Sequence, residues 1–594
     1  MIDDQAWMKS IRDNPADDGV RLGYADWLND QGDEIPGGVE HAELIMLQMA
    51  LKNNRPLEGH RQLNNEKLDE PEREKMEARV AALLQTEALR TKLLAPLDPL
   101  GINNLVIDDT RYEGGFLSHV AVTPESWQRA EELFRLAPGL TGITFTNFRN
   151  TQDIREFLAS PLLRRLTTID LPNPIQDQDA IALAASPNLI GLRSLSLRWR
   201  AASITGTGIS AILQARNLRD LEHLNLSSTE IDGIQNDFID YDIGQVNFPH
   251  LKSLRIEDHN LVFSVLPIAA GHFPNLESLA LTGNVVDEDV IHAIADNQTL
   301  ANVRSLDLKE NVLADVAVQY LATSSNLKNV EHLDLSLNPI GDRGLSHFAR
   351  SQTMLKLREL YLQHTHITAV GAYTLANSST FCNLVTLDLS SNHIGDEGLA
   401  AIALSSNLSK LETLRVENMQ TIGLETIASF AATPYLKKLR VLSLSHNNIG
   451  DNGLFDLSRG NFPEITHLQI ERIGVSNVGV EHLARSPLSA QLTALNLSYN
   501  NIGPEGARAI ADSPHFANLR MLNMRNTQIG ASGARAIAES KYPPQQTKDN
   551  ALITAGYAHL AGHVLGSDEV RRRGARLIES LFPNPQTGQN EGRT

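Results

Sequence analysis

Few residues in this chain have types and spacings that could do chemistry. His559 and His563 are spaced i, i+4, as two zinc ligands on one helix can be, but Leu560 occupies the position where a metalloprotease carries its glutamate. Cys382 is the only cysteine, and a nucleophilic role would need an adjacent base that its neighbours do not supply. We therefore predict that Cys382 is a buried packing residue. The sequence predicts no catalytic residue, no metal site and no cofactor.

Two further kinds of site can be tested against the sequence. In the segment 232–247, Asp237, Asp240 and Asp242 cluster and offer oxygen ligands for a hard cation, although a solvated irregular loop is the favoured interpretation. No glycine-rich stretch is followed by Gly-Lys-Ser or Gly-Lys-Thr, so the sequence has no phosphate-binding loop of that type. This argues against a nucleotide-driven sensor. We predict a protein that is not an enzyme.

A different set of residues suits binding. These residues occupy variable positions of a recurrent pattern, L-x-x-L-x-L-x-x, in which alternate residues of a strand point away from the leucines. Aromatic and arginine side chains supply binding hot spots, while charges of both signs set the register and the rate of association with a protein. The predicted protein-binding residues are Trp199, Arg255, Asp307, Asp334, Tyr361, His364, Asp388, Arg415, Glu417 and Tyr499. Trp199, Tyr361 and Arg415 are the leading candidates.

The element that must position these side chains is an internal repeat, whose copies start 25 to 30 residues apart and mostly 27 apart. In the clearest copies the pattern ends in an asparagine, as at Asn284, Asn311 and Asn338, whose side chain can satisfy buried backbone groups. The fifteen starts are Leu140, Leu166, Leu192, Leu221, Leu251, Leu276, Val303, Val330, Leu357, Leu384, Leu411, Leu439, Ile465, Leu492 and Leu519.

The second half of each repeat predicts a helix. Segments 344–349 and 479–484 have apolar residues at helical spacing after a glycine-containing turn. A single repeat cannot bury its own leucines, so successive repeats must stack. Because helices are wider than the strand spacing of about 4.8 Å, the stack must curve. The predicted fold class is an α/β solenoid, a curved horseshoe with parallel strands on the concave face and helices on the convex face, preceded by a small helical module.

Specific runs of residues resemble known families. The runs NPIGDRGL at 338–345 and NHIGDEGL at 392–399 resemble the ribonuclease-inhibitor-like leucine-rich-repeat proteins, and the resemblance covers about 140–538. It implies a curved solenoid used mostly for protein recognition, without naming a partner. The runs RLGYADWL at 21–28 and AELIMLQ at 42–48 resemble the bacterial repeat-companion domain found before such arrays, which carries no firmly assigned biochemical activity.

These observations divide the chain into five segments. Tyr24, Trp27 and Leu28 share one helical face of the first segment, so we predict that they form its core rather than a recognition site. The predicted segments are a helical companion-like module at 1–55, a helical linker and N-terminal cap at 56–139, the repeat array at 140–540, a C-terminal helical cap at 541–582 and a disordered tail at 583–594.

Composition limits the partners. A net charge of -19 repels phosphate backbones and anionic membrane surfaces, so neither nucleic acid nor a membrane is an expected partner. The chain starts with the acidic run Met1 to Asp4, where a secretory signal would be basic, so we expect no export by such a signal, and we expect no membrane span because the longest apolar stretch is too short. We therefore expect a cytoplasmic protein.

The predicted function is that of a monomeric, non-catalytic scaffold or inhibitor-like binder that uses the concave face to hold an unidentified protein partner. Two alternatives stay open at this point. One is a regulator that acts on a GTPase, as some ribonuclease-inhibitor-like repeat proteins do. The other is a structural repeat protein that associates with itself.

Overall fold

The computed structural model divides the chain into two compact units. The first comprises Met1–His259 and Gly271–Leu276, and the second comprises Asn260–Ala270 and Glu277–Thr594. No helix in the described part of the chain is long and apolar enough to cross a membrane. The structure describes residues 4–13, 17–55, 57–58, 62–63, 67–100, 111–113, 116–173, 175–197, 204, 206–227, 246–257, 266–419, 422–544 and 547–548.

The first unit begins with a helical module. Tyr24 and Leu28 are fully buried in its core, as predicted, and the half-buried Trp27 ring stacks on Tyr24 with 5.8 Å between ring centroids. Asp17 caps the second helix by accepting hydrogen bonds from two backbone N–H groups of its first turn. The elements are α1 (Asp4–Asp13), α2 (Asp18–Gln31), α3 (Gly38–Asn53), a short hairpin of β1 (Leu57–Glu58) and β2 (Gln62–Leu63), α4 (Glu70–Leu83) and α5 (Glu87–Leu94).

The sheet of this unit starts earlier than the sequence pattern indicated. Strands β3 (Arg111–Glu113) and β4 (Phe116–Val122) are antiparallel, and β4 pairs in parallel with the first strand of the predicted array. Both lie in the segment that the sequence analysis assigned to a helical linker and cap. Their residues lack the leucine pattern, because β4 is buried at almost every position instead of alternating.

The helical module packs directly against these first strands. The guanidinium of Arg21 donates a hydrogen bond to the backbone oxygen of Glu113 at 3.1 Å, and the Gln48 amide donates to that of Tyr112 at 3.1 Å. Phe116 completes the apolar core around Tyr24. The module therefore covers β3 and β4 rather than forming a separate body.

The repeats of the first unit follow β4 and two short helices, α6 (Pro124–Trp127) and α7 (Ala130–Leu136). Their strands pair in parallel, each with the next along the chain. In order, the elements are β5 (Gly142–Phe145), α8 (Thr151–Ala159), β6 (Thr168–Leu171), α9 (Asp177–Ala185), β7 (Ser194–Leu197), α10 (Gly206–Gln214), β8 (His223–Asn225) and β9 (Ser253–Arg255).

The second unit is a longer run of the same repeat. It begins with the short helix α11 (Leu266–Ala269), after which strands and helices alternate. In order, these are β10 (Ser278–Ala280), α12 (Glu288–Asp296), β11 (Ser305–Asp307), α13 (Asp315–Thr323), β12 (His332–Asp334), α14 (Gly341–Ala349), β13 (Glu359–Tyr361), α15 (Ala369–Asn377), β14 (Thr386–Asp388), α16 (Gly395–Ala403), β15 (Thr413–Arg415), α17 (Leu424–Ala431), β16 (Val441–Ser443), α18 (Gly450–Ser458), β17 (His467–Gln469), α19 (Asn477–Ala484), β18 (Ala494–Asn496), α20 (Pro504–Asp512), β19 (Met521–Asn523) and α21 (Gly530–Glu539).

These strands form an open parallel sheet in strict register. The central leucine of each three-residue strand lies opposite that of the next, for example Leu306, Leu333 and Leu360. These leucines are 0% exposed, so they form the core between the sheet and the helices. Every repeat start found in the sequence lies two residues before a strand. This confirms the register of the solenoid.

Buried asparagines connect the repeats at the ends of the strands. The Asn311 side-chain oxygen accepts from the backbone N–H groups of Asn284 and Val286 at 3.0 and 2.8 Å. Its amide donates to the backbone oxygens of Leu281 and Leu308 at 3.0 and 2.8 Å. One side chain thus satisfies the turns of two repeats, as the sequence analysis proposed for this position. Asn338, Asn392 and Asn500 do the same.

A second set of hydrogen bonds between repeats was not predicted from the sequence. A serine after several of the helices donates its hydroxyl to a backbone oxygen at the end of the preceding repeat's helix, as Ser324 does to Ala295 and Ser351 does to Ala322, both at 2.6 Å. These bonds supply partners to helix-end carbonyls, which cannot be satisfied within their own helix. The signal was present in the sequence, because serine recurs at 324, 351, 378 and 405.

The prediction for Cys382 was wrong, because its side chain is exposed. It follows a short turn of 3₁₀ helix that buries Phe381, and the next buried residue is Leu384. The position lies in the turn between helix and strand, where the chain does not alternate and the sequence pattern fixes no direction.

Candidate functional site

The sheet of the second unit has one face on the core and one face away from the helices, which we call the sheet face. On each strand the residue after the central leucine points to the sheet face, because successive side chains of a strand alternate. We call this set the face row. Its members, each in register with the next, are Ala280, Asp307, Asp334, Tyr361, Asp388, Arg415, Ser443, Gln469, Asn496 and Asn523.

The face row brings most of the predicted binding residues together. Asp307, Asp334, Tyr361, Asp388 and Arg415 lie on five adjacent strands. Glu417 lies two residues past the end of this strand and accepts a hydrogen bond from the hydroxyl of Ser443, a member of the face row, at 2.5 Å. The grouping follows from the repeat length, since residues one repeat apart become lateral neighbours.

The side chains of the face row are more enclosed than the sequence analysis assumed. It treated Asp388 and Glu417 as contact residues open to a partner, yet they are only 4% and 8% exposed. Neighbouring strands lie about 4.8 Å apart, so side chains in register pack against each other and shield one another from water. Tyr361 and Arg415 are half-buried and remain accessible.

Burial raises the pKa of three carboxyl groups on this face. Loss of solvation raises the pKa of Asp334 to about 6, and the nearby Asp307 charge adds to it. Loss of solvation likewise raises the pKa of Asp388, although the backbone N–H of Ser390 donates to it at 2.8 Å. The pKa of Glu417 rises to about 7 for the same reason, against the lowering effect of its hydrogen bond from Ser443.

Tyr361 is the aromatic centre of this region. Its hydroxyl donates to Glu359 at 3.2 Å, and the same carboxylate lies 2.9 Å from Nδ1 of His332. The His332 and Tyr361 rings are 5.2 Å apart. Burial, and next the Glu359 charge, raise the pKa of the Tyr361 hydroxyl, so it stays protonated. Glu359 and His332 were not among the predicted residues, although residues before the central leucine also point to the sheet face.

Arg415 forms no ion pair with any residue that the structure describes. No carboxylate lies within 4.0 Å of its guanidinium among the residues that the structure describes. Its Nε is buried and has no hydrogen-bond partner there. The charge of Arg415 nevertheless lowers the pKa values of Asp388 and Glu417, which places it close to both.

Two other predicted residues lie at the edge of the sheet face. His364 and Tyr499 occupy the turn after their strands with φ of 53° and 55°, in the left-handed region. The same turn position has positive φ in Glu310 and Arg472. His364 is exposed and Tyr499 is 42% exposed, so both are accessible from the sheet face.

The remaining predicted features lie elsewhere. Arg255 belongs to the first unit, where it is exposed on β9 and pairs with Glu257 at 3.2 Å. Trp199, the acidic segment apart from its last residues 246–247, and the pair His559 and His563 lie outside the described residues. In the described ranges, no three His, Cys, Asp or Glu side chains are arranged to hold a metal ion.

The raised pKa values predict that the stability of this face falls as the pH rises. Asp334 and Glu417 have folded-state pKa values of about 6 and about 7, against usual values of 3.8 and 4.5. The folded state therefore holds these protons more tightly. Their stabilising contribution is full below pH of about 4 and is lost as the pH rises through about 6 to 7. One pKa unit corresponds to about 1.4 kcal/mol, so two shifts of about 2 units each correspond to about 6 kcal/mol together.

The test compares urea unfolding midpoints of the native protein and of Asp334→Asn with Glu417→Gln between pH 5 and pH 8. We expect the variant to lose less stability across this range than the native protein. Equal pH slopes in the two proteins would contradict the assignment.

Comparisons with known proteins agree with this repeat. The family described as Leucine Rich repeat matches residues 326–349, 353–376, 382–403, 435–458, 489–511 and 517–538. No curated protein matches the sequence. Among solved structures, an internalin (inlF) from Listeria monocytogenes is 20% identical with a TM-score of 0.35, covering 66% of this chain and 93% of its own. A chain of the yeast Rad7 and Elc1 complex is 16% identical with a TM-score of 0.32, and the match covers 49% of this chain and 78% of that chain.

The parallel sheet, the alternating helices and the six matched repeats define the fold as a leucine-rich-repeat solenoid. Leucine-rich repeats indicate a protein-interaction scaffold, which is typically non-catalytic.

Proposed function

We propose that this chain is a non-catalytic, inhibitor-like binder of the ribonuclease-inhibitor-like type, monomeric and cytoplasmic, which holds a protein partner on the sheet face of its second unit. The observation that carries the proposal is the face row, where charged, aromatic and amide side chains occupy successive strands in register. None of these side chains contributes to the leucine core. Their variety from strand to strand suits recognition of a specific surface.

The helical module at the N-terminus has a proposed supporting role. We propose that it is the companion-like module of the array and that it closes the first edge of the sheet. Its contacts with Glu113, Tyr112 and Phe116 support this role, since an uncovered strand edge invites association.

The proposed binding face predicts the effect of one double substitution. Tyr361→Ala with Arg415→Ala should weaken partner binding at least tenfold, because both are accessible anchors of the types that dominate hot spots. The free energy of unfolding should change by less than about 1 kcal/mol, because neither side chain lies in the core.

The experiment is affinity capture from lysate of the source cells, followed by quantitative mass spectrometry. A matched control, Tyr373→Ala with Arg343→Ala, removes the same residue types from helices α15 and α14, where Tyr373 is 63% exposed. We expect to find a protein that the native chain and the control variant both capture and that the Tyr361→Ala with Arg415→Ala variant does not. Loss from the control variant, or equal retention by all three, would refute the proposed face. Light scattering of the purified chain tests self-association separately.

A further inference from the structure

Carboxylates surround the Tyr361 ring on the sheet face. Asp334 lies opposite Tyr361 on the preceding strand, and Asp388 lies opposite it on the following strand. Glu359, two residues before Tyr361, accepts its hydroxyl hydrogen bond at 3.2 Å. We call these four residues the tyrosine site. It combines an accessible aromatic ring with negative charge on three sides.

Within the described residues, neither flanking aspartate has a cation within 4.0 Å, although the charge of Lys309 lowers the pKa of both and that of Arg415 lowers the pKa of Asp388. Neither Asp334 nor Asp388 forms an ion pair there, whereas Glu331 and Asp315 in the same unit pair with Arg304 at 2.6 Å and Arg343 at 3.0 Å. The partners of the two aspartates are the backbone N–H groups of Ser336 and Ser390, two residues past the ends of their strands. A buried carboxylate is ordinarily compensated by a cation, so this site is short of positive charge.

The raised pKa values agree with that shortage. Burial raises the pKa of Asp334 to about 6 and raises that of Asp388 as well. A cation placed between them would restore the charged forms. The nearest positive charge on the face row, Arg415, lies one strand beyond Asp388.

The geometry of the site suits one long cationic side chain. Adjacent strands are about 4.8 Å apart, so a cation over the Tyr361 ring would lie within about 5 to 6 Å of both aspartates. Lysine and arginine bind aromatic faces at such distances, and their apolar stems pack on the ring. In the described ranges no three carboxylates are placed to hold a metal ion together, which favours an organic cation at this site.

We propose that the tyrosine site seats a lysine or arginine side chain of the protein partner, with Asp334 and Asp388 supplying the charge and Tyr361 supplying the aromatic contact. The proposal rests on the proposed function, because it assumes that the partner is a protein bound at the sheet face. It adds that the partner presents a basic side chain at this point.

The experiment uses the full chain and a fluorescein-labelled octalysine peptide, followed by fluorescence polarisation at physiological ionic strength. Asp334→Asn with Asp388→Asn should weaken peptide binding at least tenfold. The matched control, Asp289→Asn with Glu397→Gln, removes two exposed carboxylates from helices α12 and α16 and should change binding less than twofold. This comparison separates the site from general attraction to an acidic chain.

Tyr361→Leu provides a second variant that keeps all the carboxylates. It should weaken peptide binding about threefold or more through loss of the aromatic contact. Urea unfolding midpoints show whether either variant fails to fold. If one of the two does, the peptide affinity of the other variant tests the proposal. Equal losses in the site and control variants would overturn the proposal. So would equal binding of an octaglutamate peptide, or stoichiometric displacement of octalysine by calcium or magnesium ions alone.

The captured partner distinguishes this proposal from the proposed function. If that partner binds the Asp334→Asn and Asp388→Asn variant as tightly as the native chain but is lost by the Tyr361→Ala and Arg415→Ala variant, the binding face stands and the cation site falls. If octalysine binds as predicted but no protein depends on the sheet face, the proposed function falls instead.

Discussion

Replacing Asn392 with alanine should lower the free energy of unfolding by about 3 to 5 kcal/mol, because several buried backbone groups would each lose a partner worth about 1 to 3 kcal/mol. The Asn392 amide donates to the backbone oxygens of Leu362 and Leu389 at 2.6 and 2.9 Å. Its oxygen accepts from the backbone N–H groups of Thr365 and Ile367, both at 3.0 Å. Alanine can replace none of these bonds, and the site is too closed for water to replace all of them.

The measurement is urea unfolding followed by circular dichroism. Asn501→Ala is the matched control, because that asparagine is exposed at the following position of a later repeat. We expect the control to change stability by less than about 0.5 kcal/mol. A loss below about 1 kcal/mol in the Asn392 variant would show that the asparagine bonds contribute little to the stacking of repeats.

Leu389→Ala should cost about 2 to 5 kcal/mol, the usual range for a buried leucine truncated to alanine. Leu389 is 0% exposed at the end of β14, between the sheet and the helices. Its removal leaves a cavity that the repeated packing on both sides cannot close. The same urea experiment measures the effect.

Leu355→Ala provides the matched control for this truncation, since Leu355 is 46% exposed in the turn before β13. That variant should unfold within about 0.5 kcal/mol of the native protein. Equal effects of the two truncations, or a negligible effect at Leu389, would contradict the register of the repeats.

The repeat register was predictable because each repeat encodes it locally. The spacing of three apolar residues fixes which side of a strand is buried, and the repeat length fixes which residues become lateral neighbours. The strand positions, the buried asparagines and the alignment of Asp334, Tyr361 and Asp388 therefore followed from the sequence. The face row needed no information beyond that pattern.

Features that depend on neighbouring repeats were harder to predict. The burial of Asp388 and Glu417 depends on side chains a full repeat away in the chain, and the leucine pattern does not describe those side chains. Strand β4 was missed because it is buried on both faces and does not alternate. The exposure of Cys382 was missed because turns between helix and strand follow no period. In each case the deciding contact is tertiary rather than local.

Hydroxyl-radical footprinting of the captured complex tests most directly whether a protein partner contacts the sheet face of the second unit. Tyr361 and Tyr499 lie on or beside that face, whereas Tyr373 and Val370 are 63% and 65% exposed on a helix. We predict that the partner protects Tyr361 and Tyr499 from oxidation and leaves Tyr373 and Val370 as reactive as in the free chain. Protection of Tyr373 and Val370 with unchanged reactivity at Tyr361 and Tyr499 would contradict the account.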